Sequence, residues 1–224
     1  MNRRLSAIAA LIPAGKGMID VGTDHGYLPA ELALSGYPGL LFASDINAEP
    51  LAVAKKTAAQ AGVSNRIHFL RCDGLKLCPP DAVDTIVIAG MGGDLIVRIL
   101  DEAEWCMDRR YRLILQPMTK PEVVRYWLVY NEFEIESETL VEDGGILYQI
   151  VTASFGGQTR LNDAELFVGK RSLNPDRALY GRMLEIEFRR FERAITGMAV
   201  GGGDARWKLY REIRDQLKEM REDI

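Results

Sequence analysis

The sequence predicts an α/β fold: a mainly parallel sheet with helices covering both faces. Three observations predict it. From residue 17 to residue 130, short β-branched-rich apolar runs alternate with helix-forming stretches. Acidic residues stand at or just past the ends of several runs, and glycines close several helical stretches. The rhythm then changes to two longer strands flanking Asp143-Gly144-Gly145, a tight-turn sequence that predicts a closing antiparallel hairpin. Strands that are apolar throughout must be buried on both faces, and helical crossovers provide that cover.

At the N-terminus, Leu5, Ile8, Leu11 and Ile12 recur at helical spacing, so residues 5–14 read as a short amphipathic helix. Arg3-Arg4 before this stretch faintly imitates a secretion signal, but a strand follows almost at once. Residues 18–21 are the first strand, ending at Gly22, and 27–35 a helix closed by Gly36. Residues 40–43 form the second strand, with Asp45 just beyond. A helix over 48–61 follows, with Gly62 where a C-terminal cap belongs. Strands three to five fall at 67–70, 85–89 and 113–115. Helices are expected between Gly93 and about Leu100 and over residues 122–130, and the hairpin strands over 133–141 and 146–155.

Beyond Gly156-Gly157 the composition shifts. Asn174-Pro175 reads as a helix cap followed by proline at the first helical position. Leu184, Phe188, Phe191, Ile195 and Met198 step by 4, 3, 4 and 3 residues. Gly201-Gly202-Gly203 then breaks the helix, Asp204 caps the next, and Tyr210, Ile213, Leu217, Met220 and Ile224 resume the spacing. These seams predict an antiparallel helical hairpin of coiled-coil type, and a division into residues 1–157 and 158–224.

Composition narrows the class. With 224 residues, 47% of them hydrophobic, and a mean hydropathy of −0.08, the chain can bury a real core, which excludes wholesale disorder. No apolar run approaches the roughly 20 residues that span a bilayer. Three cysteines without a CxxC pair exclude a disulfide scaffold or a zinc finger and fit a reducing cytoplasm. The net charge is −4, unevenly placed: residues 160–224 carry 14 basic and 12 acidic side chains, residues 1–159 carry 14 and 20. An acidic body with a slightly basic tail is compatible with an RNA partner.

The chemistry concentrates where strands end. Gly22 and Gly26 allow a sharp strand-to-helix turn and close approach of a ligand to backbone. Asp20, Asp45 and Asp73 fall at the carboxyl ends of the first three strands, the edge at which open parallel sheets bind ligands. Asp45 is placed to take both hydroxyls of a ribose, and Asp73 to reach an adenine amino group. Helix capping is the plainer role for any one of them. Dinucleotide sites want G-x-G-x-x-G, whereas here two glycines are four apart with Asp24 between them. A carboxylate there repels a pyrophosphate and suits a cationic sulfonium, which favours methyl transfer over hydride transfer.

Linked motifs carry a more specific resemblance. Asp20-Val21-Gly22-Thr23-Asp24-His25-Gly26-Tyr27-Leu28-Pro29, Ser44-Asp45-Ile46-Asn47, Ile88-Ala89-Gly90-Met91-Gly92-Gly93 and Leu113-Ile114-Leu115-Gln116-Pro117 resemble the bacterial TrmK family. So do Arg125-Tyr126-Trp127-Leu128 and Tyr148-Gln149-Ile150, and the match covers roughly residues 3–155. Met118 departs from it, where many relatives carry Asn. Members are tRNA (adenine-22-N1)-methyltransferases of the Rossmann-like class I fold, with a helical C-terminal extension.

The resemblance implies S-adenosyl-L-methionine as cofactor and tRNA as partner, with no membrane and no metal. Asp20, Gly22, Thr23, His25, Gly26, Asp45, Ile46, Asn47, Asp73, Gly74, Ala89, Gly90 and Met91 are its expected cofactor contacts. Asp24 and Tyr27 are the candidate catalytic residues, Asp24 to accept from the adenine amine and Tyr27 to stack on the base. A helix cap and a core ring are their plainer roles. Gly92, Gln116 and Pro117 are expected on the acceptor side, and the loop lacks the polar-Pro-Pro-aromatic sequence of exocyclic-amine methyltransferases. Arg4, Arg189, Arg190 and Arg193 are candidates for RNA phosphates, or else a solvated helix face. The residues leave the oligomeric state open, a monomer included. They also leave open a small-molecule methyltransferase and a non-catalytic RNA-binding scaffold.

Overall fold

The computed structural model describes residues 2–198 and 205–223. It opens with α1 (Arg3–Leu11), followed by β1 (Gly17–Val21), α2 (Tyr27–Leu34), β2 (Leu40–Asp45), α3 (Ala48–Gln60) and β3 (Ile67–Arg71). Next come β4 (Thr85–Gly92), α4 (Gly93–Asp101), β5 (Arg112–Thr119), α5 (Pro121–Tyr130), β6 (Phe133–Asp143) and β7 (Ile146–Phe155). Then follow α6 (Asp163–Val168), α7 (Arg177–Met198) and α8 (Ala205–Glu222).

One seven-stranded sheet runs β3-β2-β1-β4-β5-β7-β6. Its first five strands are parallel, and β7 pairs antiparallel with both β5 and β6, as the turn at Asp143-Gly144-Gly145 requires. All of β1 is buried, which explains its unbroken apolar character apart from Asp20. Two apolar clusters form the core on the two faces. One holds Ile19, Ile86, Ile88 and Leu113 with α4 and α5, the other Met18, Leu41, Val87 and Ile114 with α1 and α2.

Two strands run three or more residues longer than the sequence suggests. β4 continues through Gly90 and Met91 to Gly92, with register shifts at Ala89/Met91 and Met91/Gly92, so the glycines form a bulged strand end. β5 extends to Thr119 beside it. The helix expected to start at Pro175 begins at Arg177. Asp176, not Asn174, accepts from the third helical amide (Leu179 N, 2.9 Å), and Asn174 is buried and accepts from Asp176 N instead.

The tail helices pack on the sheet's antiparallel end through a third cluster, including Leu140, Val168, Tyr180, Leu184, Phe191, Ile213 and Leu217. Phe191 meets Tyr210 edge-on and Arg221 pairs with Glu185, so α8 runs back along α7. Gly201-Gly202-Gly203, Asp204 and Ile224 lie outside the described residues. The short helix α6, which the sequence reading missed, carries a full capping box between Asn162 and Glu165.

Candidate active site

Gly22 follows β1 with φ +77°, a backbone conformation that favours glycine, and a side chain there would displace the Met91 methyl. The amides of Gly22 and Thr23 donate to Ser44 O on β2 (2.8 and 2.9 Å), which pins the loop. Gly26, at φ +68°, precedes α2, and Ala54 of α3 sits where its Cβ would be.

This loop floors a crevice of about 260 Å³ at the carboxyl ends of β1 and β4. Arg4, Asp20, Gly22, Thr23, Asp24, His25, Gly26, Tyr27, Ala89 and Gly90 line it, so ten of the residues singled out from the sequence meet here. Asn2 and Leu5 join them, so the start of α1, whose Arg4 the sequence places near the crevice, forms one of its walls. A larger hollow of about 500 Å³ lies between α1, β6 and α7. It lacks the glycine floor, and its Glu142 is already paired with Arg182 (2.6 Å).

Asp20 is buried, and burial pushes its carboxyl up to about 6, against the opposing effect of the Thr23 hydroxyl and then of the Arg4 charge. The Thr23 hydroxyl, 2% exposed, lies beside that carboxylate and helps hold its titration down, although among the described residues it closes no full hydrogen bond. At the mouth, His25 Nε2 lies 3.2 Å from the Asp24 carboxylate. His25 also stacks on Tyr27 (centroids 5.3 Å apart), whose ring is half exposed.

The three strand-end aspartates share one sheet edge but not one crevice wall. Of them, Asp20 alone lines it. Asp45, half-buried, accepts from Asn47 N (2.7 Å), and Ile46 and Asn47 are exposed. Asp73 takes Lys76 (2.7 Å) and Arg98 (3.1 Å), and these hydrogen bonds hold its carboxyl below the usual range. Gly74 beside it turns with φ +57° against Ile99.

On the other side, Met91 covers Gly22, and Gly92 faces Thr119. Gln116 is fully buried. Its amide donates to Pro117 O (3.0 Å), while its oxygen accepts from Arg4. The tail arginines have partners within the protein. Arg189 pairs with Glu185 (2.5 Å), Arg190 pairs with Glu187 (2.9 Å) and lies over Phe167 and Phe191, and Arg193 donates to Arg189 O. Arg189, Arg190 and Arg193 all remain exposed. Among the described residues, no helix is long and apolar enough to cross a membrane, and no cluster of three His, Cys, Asp or Glu could hold a metal.

A positively charged ligand with polar ends fits this crevice. Its floor leaves room for a ligand, and among the described residues no cation contacts its buried Asp20 carboxylate and no full hydrogen bond closes on the neighbouring Thr23 hydroxyl. Fold and crevice together define the class, and residues 1–151 match the family described as methyltransferase domain. Within that class, the chain is 32% identical over 163 residues to the tRNA (adenine(22)-N(1))-methyltransferase of Bacillus subtilis, covering 73% of this chain and 68% of that one. The chain belongs to that family.

Solved structures agree in shape. Bacillus subtilis TrmK, an M1A22 tRNA methyltransferase, superposes with a TM-score of 0.81 at 26% identity, over 99% of this chain and 96% of that one. Streptococcus pneumoniae Sp1610 in complex with S-adenosyl-L-methionine gives 0.84 at 28% identity, over 99% of both.

Proposed function

We propose that this protein transfers a methyl group from S-adenosyl-L-methionine to N1 of an adenine in tRNA, adenine 22 by family membership. The observation that carries the reading is the crevice at β1 and β4, where Asp20, the Thr23 hydroxyl and the Gly22 floor converge, in a chain of this family.

The bound cofactor supplies an electrophilic methyl on a sulfonium. Adenine N1 has an in-plane lone pair, so no base is needed to create the nucleophile, and the ring becomes cationic. The residues therefore act mainly by alignment. Tyr27 offers its exposed ring at the mouth as a stacking surface for the base. Asp24, beside it, accepts from the exocyclic amine and favours the positive charge that develops on the ring. Asp20 and Thr23 hold the polar end of the cofactor, and Asp45 its ribose. N1 lies on the pairing edge, so the target base must be unpaired or extruded before it can enter.

Residues 1–157 hold cofactor and base, and residues 158–224 form the tail that engages RNA. Arg189 and Arg193 supply phosphate contacts from its exposed face. The free thiols and the RNA substrate suit the cytoplasm. The test is incubation with methyl-labelled cofactor and separate pools of tRNA and small metabolites. Label is expected in tRNA. Label confined to metabolites, or none in either pool, overturns the reading.

A further inference from the structure

We propose that the outer face of α5, carrying Tyr126 and Tyr130, is a separate RNA contact on which unpaired bases flanking the target nucleotide stack. This rests on the tRNA reading given above.

Tyr126 and Tyr130 stand four residues apart, so their side chains share one face of α5. The rings lie nearly parallel (16°, centroids 6.0 Å apart) and are 60% and 73% exposed. Much of their π surface therefore faces solvent. The core does not use them, because α5 is anchored by Val124, Arg125, Trp127 and Leu128, all buried. Beside Tyr126 runs an apolar groove of about 380 Å³ between α5, α6 and α8, with Phe167, Leu209 and Tyr210 in its walls.

Cations lie over the rings of this groove, Arg206 over Tyr210 (5.2 Å) and Arg190 over Phe167 (5.5 Å). Its two acids, Glu122 and Asp163, each sit in the first turn of a helix, where they complement the helix dipole. Flat rings interleaved with guanidinium groups favour a polyanion with flat bases over an apolar protein segment. Position supplies the link to catalysis. Lys120 directly follows β5 at the head of α5, on the same sheet edge as the crevice, and pairs there with Asp94. Helical rise puts Tyr126 and Tyr130 about 9 and about 15 Å along α5 from Lys120. Extruding the target adenine uncovers the faces of its neighbours, and this pair of rings offers them a new surface.

Fluorescence anisotropy with unmodified full-length tRNA and the full chain, over a salt series, tests this. Tyr126→Leu/Tyr130→Leu keeps apolar bulk without the π face and is expected to weaken tRNA binding by roughly 10- to 100-fold. The salt slope should match the wild type, because stacking releases no counterions. Tyr126→Phe/Tyr130→Phe keeps both faces and should bind tRNA as the wild type does. Affinity for S-adenosyl-L-methionine, read by calorimetry, should be unchanged in both variants. Tyr130→Leu alone, at the more exposed ring, serves if the double leucine variant fails to fold. Undiminished tRNA affinity in the leucine variant overturns the proposal, as does an equal loss in the phenylalanine variant or a lowered salt slope. Unchanged tRNA affinity with a shift in sedimentation also overturns it and assigns the face to a second copy of the chain. A wild type that binds no tRNA at all overturns the proposed function, and this surface with it.

Discussion

Arg125 and Glu138, both fully buried, close an ion pair at 2.5 Å that joins the sheet to the segment leading into the tail. The guanidinium also donates to Gln149 (2.6 Å) and to the carbonyls of Leu166 and Phe167 at the end of α6, while Glu138 accepts from Lys170 N (2.6 Å). Removing one member leaves a buried charge without a partner, so Glu138→Ala should destabilise by about 3–5 kcal/mol. The double variant Arg125→Met/Glu138→Leu should recover part of that loss. Urea denaturation measures both, and equal costs for single and double variants would contradict the assignment.

Asp20 is predicted to favour function at the expense of stability. Its carboxyl titrates near 6 when folded and near 3.8 when unfolded. Between those values the folded form holds a proton the unfolded chain has released, so stability falls as pH rises through the window and stays lower above it. Asp20→Asn should therefore stabilise the free protein by about 1–3 kcal/mol at neutral pH, with the gain vanishing below about pH 4, and should weaken cofactor binding. Melting curves at both pH values, with calorimetry, decide it. A variant no more stable than wild type at neutral pH would remove the burial penalty from the account.

Gly22→Ala should cost about 1–2 kcal/mol of stability from the left-handed backbone alone. The Met91 methyl can swing aside, so the clash adds little to that cost, but the displaced side chain then crowds the crevice. A marked loss of cofactor affinity is the expected outcome. Unchanged affinity would mean that no ligand approaches this backbone.

Replacing Arg189 and Arg193 with Ala should weaken tRNA binding and lower its salt dependence by about one for each phosphate no longer neutralised. Cofactor affinity should stay constant, because neither residue lines the crevice. Fold stability should barely move, since exposed pairs such as Arg189–Glu185 contribute little. An unaltered salt slope would assign these arginines to solvation.

Much of the crevice is legible in the chain because its features are local. Gly22, Gly26 and Asp20 reveal themselves through strand endings and glycine spacing, which a single strand-to-helix unit dictates. What stays hidden depends on distant partners. Asp73 reads as a ligand-facing acid until Arg98 arrives from α4 to occupy it. Arg125, in an otherwise ordinary amphipathic helix, gives no sign of being fully buried, because Glu138 and Gln149 come from β6 and β7. Arg4 looks like a surface cation because its acceptor, Gln116, lies 112 residues away. The tail arginines look free because their partners are also out of view: Arg190 lies over Phe167, which belongs to a helix too short for periodicity to reveal.

The most direct test is to react the protein with S-adenosyl-L-methionine and unmodified tRNA, then locate the modified nucleoside by digestion and mass spectrometry. N1-methyladenine at position 22, absent when Asp20→Asn replaces the wild type, is the predicted result. Methylation of another base or of an exocyclic amine, or full activity in the Asp20→Asn protein, would contradict it.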